Sequence, residues 1–136
     1  MKLSYQVYDL PLKHTFTIAH QSRDVQDTLV VKLEGEGYYG LGESTTNPFY
    51  GMTIENMSSC LEEARFLVEE GEWKTPAELW DLVKDIFREN PFAQCALDMA
   101  AWDWFTKKQG KKLYEYLGLD PKNIPLTNFT IGIDTL

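Results

Sequence analysis

The chain has few of the residues that build metal or redox centres: its 136 residues include two cysteines and two histidines. Cys60 and Cys95 are far apart, and each sits in helical, apolar-periodic sequence, which suits buried thiols in a reducing compartment better than a disulfide framework. His14 and His20 are six apart and lack the i,i+4 partner of a helical zinc site. Cations are scarce too: 13 lysines and arginines against 21 acids give a net charge of −8. With a pI near 4.7, the chain lacks the electrostatic attraction that dominates nucleic-acid affinity, and an anionic membrane would repel it. No apolar run approaches the roughly 20 residues of a membrane span, and Met1 to Gln6 carries no apolar leader, so a cytoplasmic protein is expected.

Catalytic signatures are equally absent. There is no G-x-S-x-G elbow, no P-loop, no dinucleotide fingerprint after a strand and no C-x-x-C pair. Gly40-Leu41-Gly42-Glu43 follows a strand but leads into a loop, so it offers no helix N-terminus to a phosphate.

The pattern that is present predicts an α+β domain, for which the length suffices. Apolar alternation from Lys2 to Leu12 predicts a half-buried strand stopped by Pro11. A second strand is expected over Gln26 to Glu34 and a third over Tyr38 to Ser44, joined by the glycine-bearing turn Glu34-Gly35-Glu36-Gly37, giving a three-stranded antiparallel sheet. Lys13 to Asp24 and Thr45 to Met52 show neither period and are expected to be loops hung from that sheet.

Helical signals follow. Thr53 resembles an N-cap, after which Ile54, Met57, Leu61, Ala64 and Val68 recur at helical spacing until Gly71. Thr75-Pro76 starts a second helix with Leu79, Trp80, Val83, Ile86 and Phe87 on one face. A third runs from near Pro91 to Gln109 and is apolar nearly all round, which predicts burial. Leu113 to Leu117 is a short helical piece closed by Gly118. Beyond the prolines at 121 and 125, Leu126 to Ile133 has strand character but no second strand within the chain to pair with.

Among charged residues, Glu62-Glu63 and Glu69-Glu70 fit a solvated helix face, and Lys107-Lys108 and Lys111-Lys112 suit a helix C-terminus. Asp98 and Asp103 stand in the most apolar helix, where an unpartnered charge is costly, and a structural hydrogen bond to backbone or arginine is expected. Spacing alone yields no active site.

Several ordered landmarks nevertheless carry a resemblance. Pro11-Leu12-Lys13-His14-Thr15-Phe16-Thr17-Ile18, the Gly40-Leu41-Gly42-Glu43 strand end, the helix Cys95 to Asp103 and the following Gly110-Lys111-Lys112-Leu113-Tyr114 resemble the capping domain of the muconate-lactonising subgroup of the enolase superfamily. In that subgroup an α+β cap precedes a modified (β/α) barrel, and Thr127 to Ile133 resembles the first barrel strand. Phe16 to His20 and Phe129 to Gly132 look most like dipeptide epimerases of the alanyl-glutamate type. Related epimerases place an arginine in the first loop, where this chain has Gln21, with Arg23 two residues later.

The resemblance implies a cap over residues 1–122, and a linker and first barrel strand over 123–136. It implies an enolate reaction: a proton leaves the carbon beside a carboxylate and returns on the other face, with Mg2+ holding the ene-diolate. The bases and the Mg2+ ligands of the subgroup have no counterpart in this chain, so no catalytic residue and no metal ligand is assigned here, and the chain alone is expected to be inactive. Its own contribution would be enclosure, with Phe16, Ile18, Phe49 and Tyr50 as apolar walls, Gln21 or Arg23 as a polar contact to a dipeptide, and Thr130 as a substrate contact on the barrel strand. The expected partners are a small dipeptide or other carboxylate, the missing barrel, and further copies in a homo-oligomer. Muconate cycloisomerisation, o-succinylbenzoate synthesis and a non-catalytic binding module remain open alternatives, and core packing remains one for the aromatics.

Overall fold

The computed structural model describes residues 1–19 and 21–128. Three strands, β1 (Lys2–Ile18), β2 (Gln21–Gly35) and β3 (Tyr38–Thr45), form an antiparallel sheet in the order β1-β2-β3. Four helices follow: α1 (Ile54–Glu70), α2 (Pro76–Val83), α3 (Pro91–Lys108) and the single turn α4 (Leu113–Tyr116). The expected α+β class, sheet and helix order are all present.

The β2–β3 connection is a two-residue hairpin, with Gly35 opposite Tyr38. Glu36 and Gly37 both adopt positive φ, 54° and 81°, which matches the right-handed twist of the strands. The Glu36 carboxylate then meets Lys108 Nζ at 2.7 Å and ties the turn to the end of α3.

Side-chain alternation sends Leu29, Val31 and Leu33 of β2, with Leu3 of β1, into the core. Met57, Leu61, Ala64 and Val68 of α1, Leu79 and Val83 of α2, Phe87, and the alanine-rich side of α3 complete it. The caps anticipated from sequence are made. Thr53 accepts from Asn56 N at 3.2 Å and Thr75 accepts from Glu78 N at 3.3 Å. Buried Asn90, which the sequence reading passed over, caps α3 by accepting from Ala93 N at 3.0 Å.

α3 crosses β3 at unusually close range because β3 presents glycine. A Cβ at Gly40 would run into the Ala100 carbonyl oxygen, and one at Gly42 into that of Ala96. The Gly40-x-Gly42 pattern is thus a seat for the alanines of α3.

Helix side chains engage part of each free edge of the sheet, which narrows the stretch open to strand addition. On β3, Leu41 N donates to Asp103 Oδ2 at 2.8 Å, and Lys107 Nζ, paired with the same carboxylate at 2.7 Å, donates to Tyr39 O at 3.2 Å. On β1, Leu3 N donates to Glu69 Oε1 at 2.9 Å, and Arg65 Nη1 donates to Leu3 O. Tyr5 Oη donates to Glu62 Oε1 at 2.9 Å. Asp103 therefore takes the structural role expected of it. Glu62 and Glu69 are more than a solvated face: with Arg65 they clasp β1.

Three expectations are corrected. β1 does not stop at Pro11, because β1 is an edge strand and a proline there forfeits no ladder bond that a central strand would need. Lys13 to Asp24 is consequently not a loop but the outer part of a β1–β2 finger. The thiols are not both buried: Cys60 is half-buried and Cys95 exposed. α3 is covered on one broad side only, leaving Cys95 and Met99 on the other. Residues 124–128 have no regular structure and Leu126 is fully exposed. Most of the expected strand Leu126 to Ile133, Thr130 included, lies outside the described residues.

Candidate functional site

The finger has two chemically different faces, and strand register decides which residue joins which. Beyond a bulge in which residues 12–15 stand opposite the single residue Asp24, the pairs are Phe16 with Arg23, Thr17 with Ser22 and Ile18 with Gln21. Directly opposed residues share a face and neighbours alternate. Phe16, Ile18, Gln21 and Arg23 are therefore gathered on one side of the finger. The other side is polar: Thr15 Oγ1 donates to Asp24 Oδ1 at 2.6 Å, and the hydroxyls of Thr17 and Ser22 lie 3.0 Å apart. Asp24 is thus engaged by Thr15, and Arg23 enters no ion pair among the described residues. Phe16 is 38 % and Ile18 46 % exposed, too open for core packing to explain them.

The second predicted loop, Thr45 to Met52, is more ordered than its sequence implies. Asn47 and Met52 exchange backbone hydrogen bonds, both 2.9 Å, around a 3-10 turn at Pro48–Tyr50. Asn47 Oδ1 accepts from Phe49 N at 3.1 Å, Gly51 supplies φ +68°, and Asn56 Nδ2 donates to Gly51 O at 2.7 Å. This scaffold holds Phe49 and Tyr50 outward, 87 % and 61 % exposed, with their rings edge-to-face at 4.9 Å. Tyr50 rests against Phe92 of α3 at 5.8 Å.

Finger and turn leave the same end of the sheet, since β1 and β3 run toward it and β2 away from it. Thr46 N donates to Asp27 O at 3.1 Å, and Gln26 Nε2 reaches Thr46 O at 3.3 Å, joining the two bases. Beside the turn opens a groove of about 460 Å³, lined by Glu43, Ser44, Thr45, Phe92, Cys95 and Met99. Glu43 is engaged by Thr28 Oγ1 at 3.1 Å. The groove was not foreseen; its only sequence signal is Phe92, Cys95 and Met99 at i, i+3 and i+7 on one stripe of α3.

This end of the molecule can enclose a small molecule with an apolar wall, an aromatic pair and one cation. Among the described residues no three histidine, cysteine or acidic side chains cluster as metal ligands, and Cys60, whose thiol burial pushes up in pKa, is poorly suited to act as a nucleophile. No helix among the described residues is long and apolar enough to cross a membrane.

The comparisons agree with this geometry. The sequence profile of the mandelate racemase / muconate lactonizing enzyme N-terminal domain matches residues 4–118. An L-Ala-D/L-amino acid epimerase of Flavobacterium johnsoniae is 43 % identical over 136 residues, all of this chain and 40 % of the relative. An L-Ala-D/L-Glu epimerase of Bacteroides thetaiotaomicron is 34 % identical over 99 % of this chain and 35 % of its own. Among solved structures, a dipeptide epimerase of Enterococcus faecalis complexed with Mg and L-Leu-L-Tyr superposes with a TM-score of 0.81 at 27 % identity, over 98 % of this chain and 38 % of that one. The chain thus spans about two fifths of the length of the relatives it matches. It belongs to the mandelate racemase / muconate lactonizing enzyme N-terminal domain family, within the enolase superfamily.

Proposed function

We propose that the chain is the substrate-capping portion of a dipeptide epimerase acting on alanyl dipeptides, with residues 1–122 as the cap and 123–136 leading into the barrel. The observation that carries this reading is the strand register that collects Phe16, Ile18, Gln21 and Arg23 on one finger face, at the same sheet end as Phe49 and Tyr50. The similarity to alanyl-dipeptide epimerases along the whole chain supports it. The apolar residues form the walls around the second amino acid, and Arg23 or Gln21 meets a polar group at its distal end. Thr130 contacts the dipeptide from the first barrel strand. Enclosure of this kind excludes water and strengthens charge interactions at the reacting carbon.

The reaction is removal of the proton beside the carboxylate and its return on the opposite face. Mg2+ is the cofactor under this reading, since structures similar to this chain bind it. We assign the ion to residues outside this chain, as the family resemblance implies, and route no step through the cap's own side chains.

Exchange of the dipeptide α-hydrogen in deuterated water, followed by NMR, tests the proposal on the complete enzyme. Alanyl dipeptides should exchange. Arg23→Met should raise KM for an acidic second residue about tenfold, the loss of one charge-assisted contact, and leave an aliphatic one nearly unchanged. Absence of exchange in every alanyl dipeptide, with turnover of muconate or an o-succinylbenzoate precursor instead, would refute it.

A further inference from the structure

The β1–β2 finger is built in two segments that are out of step with each other. Its base follows the register that pairs Pro11 with Val25, and its tip the register that pairs Phe16 with Arg23. Between those pairs five residue steps of β1 match only two of β2, so the tip stands three residues away from where the base would put it. Three is odd, and an odd slip exchanges the two faces of a strand. Continued without the bulge, the base register would set Lys13 opposite Arg23 and Thr15 opposite Gln21. Arg23 would then meet a like charge in place of Phe16, and Phe16 would turn to the side of Ser22 and Asp24.

Burial does not choose between the two registers. Every residue of β1 from Gln6 to Phe16 is exposed, and register is weakly specified where neither face is buried. The polar contacts on the back of the tip belong to the observed register alone. Thr15 Oγ1 donates to Asp24 Oδ1 at 2.6 Å across the bulge, and the Thr17 and Ser22 hydroxyls are 3.0 Å apart. In the other register Thr15 and Asp24 would stand three positions apart along the ladder, about 10 Å at the rise of a strand, and Ser22 would face His14. Asp24 does not serve Arg23, its neighbour in sequence, because adjacent strand residues point to opposite faces. The carboxylate is held on the back while the guanidinium remains on the front, in no ion pair among the described residues.

We propose that Thr15 and Asp24 are positioning residues for substrate recognition: their hydrogen bond across the bulge holds the finger in the register that gathers Phe16, Ile18, Gln21 and Arg23 on one face. The contact between Thr17 and Ser22 supports the same register. Substrate feels the bond only through the residues it places, since Thr15 and Asp24 lie on the opposite side of the finger. The consequence for turnover rests on the capping function proposed above, whereas the register can be read without substrate.

Disulfide trapping in the complete protein, with bridges located by peptide mapping, reads the register directly. Opposed strand residues lie within the Cα reach of a disulfide, so Thr17→Cys with Ser22→Cys reports the observed register and His14→Cys with Ser22→Cys the slipped one. In a glutathione buffer the first pair should bridge far more readily than the second. Adding Thr15→Val to each pair should shift the ratio of their bridging constants toward the slipped register by about threefold to tenfold, the weight of one hydrogen bond; an unchanged ratio overturns the proposal. In turnover, Thr15→Val and Asp24→Ala should each raise KM by about that factor for acidic and aliphatic second residues alike, with kcat little changed, because Arg23 and the apolar wall lose their common face together. Asp24→Asn, which keeps an acceptor for Thr15, should stay near the parent. A register shift without a rise in KM, or no rescue by Asp24→Asn, overturns the proposal as well. If the enzyme turns over no alanyl dipeptide, the capping function is refuted, and the bridging ratio alone decides whether Thr15 and Asp24 set the register.

Discussion

Replacing Gly42 with alanine tests the seating of α3 on β3. A Cβ makes ordinary contact from 3.4 Å outward, yet at residue 42 it would overlap the Ala96 carbonyl oxygen and stand 2.7 Å from Ala100 N. Both obstacles are helix backbone, so no side chain can swing aside; α3 must move as a unit. It carries Ala93, Ala96, Leu97, Ala100 and Ala101 of the core, and overpacking of this kind costs about 1–3 kcal/mol. We expect the upper end, about 3 kcal/mol, or a hundredfold in the folding equilibrium. With a urea dependence of about 1–3 kcal/mol per molar, the midpoint should fall by about 1–3 M. Tryptophan fluorescence is a suitable readout, because the Trp104 indole N–H donates to Gly35 O at 3.0 Å across this same contact. Gly37→Ala is the control: φ there is +81° but the space around it is open, so only backbone strain of about 1 kcal/mol applies. If Gly42→Ala destabilises no more than Gly37→Ala, the close-approach argument is wrong. The same variant should disturb the groove of Phe92, Cys95 and Met99, which depends on the placement of α3.

Two further outcomes follow from the clasp and the cap. The Arg65 guanidinium and the Tyr5 hydroxyl hold the Glu62 carboxyl down to about 2, below its ordinary 4.5. Its contribution is therefore complete above pH 4.5 and lost as pH falls toward 2; because Glu62 is half exposed, the effect is about 0.5–1 kcal/mol. Denaturation midpoints at pH 7 and pH 3 should differ less in Glu62→Gln than in the parent, and an unchanged difference would count against the clasp. Asn90→Ala removes the buried cap of α3 and its Nδ2 donation to Asn56 Oδ1 at 3.2 Å. It should cost about 1–2 kcal/mol and lower Tm by about 3–8 °C, whereas Asn90→Asp, which keeps the cap, should lose less; equal losses would place the effect outside the cap.

Local rules fixed what local residues control. The caps at Thr53 and Thr75, the stops at Gly71 and Gly118, the Glu36-Gly37 hairpin and the alternating core face of β2 are each decided by a few neighbouring side chains or one backbone angle, and each was legible. So were the candidate walls Phe16, Ile18, Phe49 and Tyr50 as residues, though not as a surface. Pro11 misled because a proline's cost depends on whether its strand is an edge, which is a property of the sheet and not of the sequence around it. Arg23 and Gln21 could be named but not placed: one residue more or less in the bulge would turn them to the hydroxyl face beside Thr17 and Ser22.

The amino-acid sequence by itself determined the elements, their order and the family, because propensity, capping and landmark spacing act within a few residues of one another. Only the tertiary structure decided that Glu69 and Asp103 each engage one stretch of a sheet edge and that Gly40 and Gly42 admit α3. Those outcomes depend on which distant backbones approach, and that is settled when helices 50–70 residues away in the chain pack against the sheet.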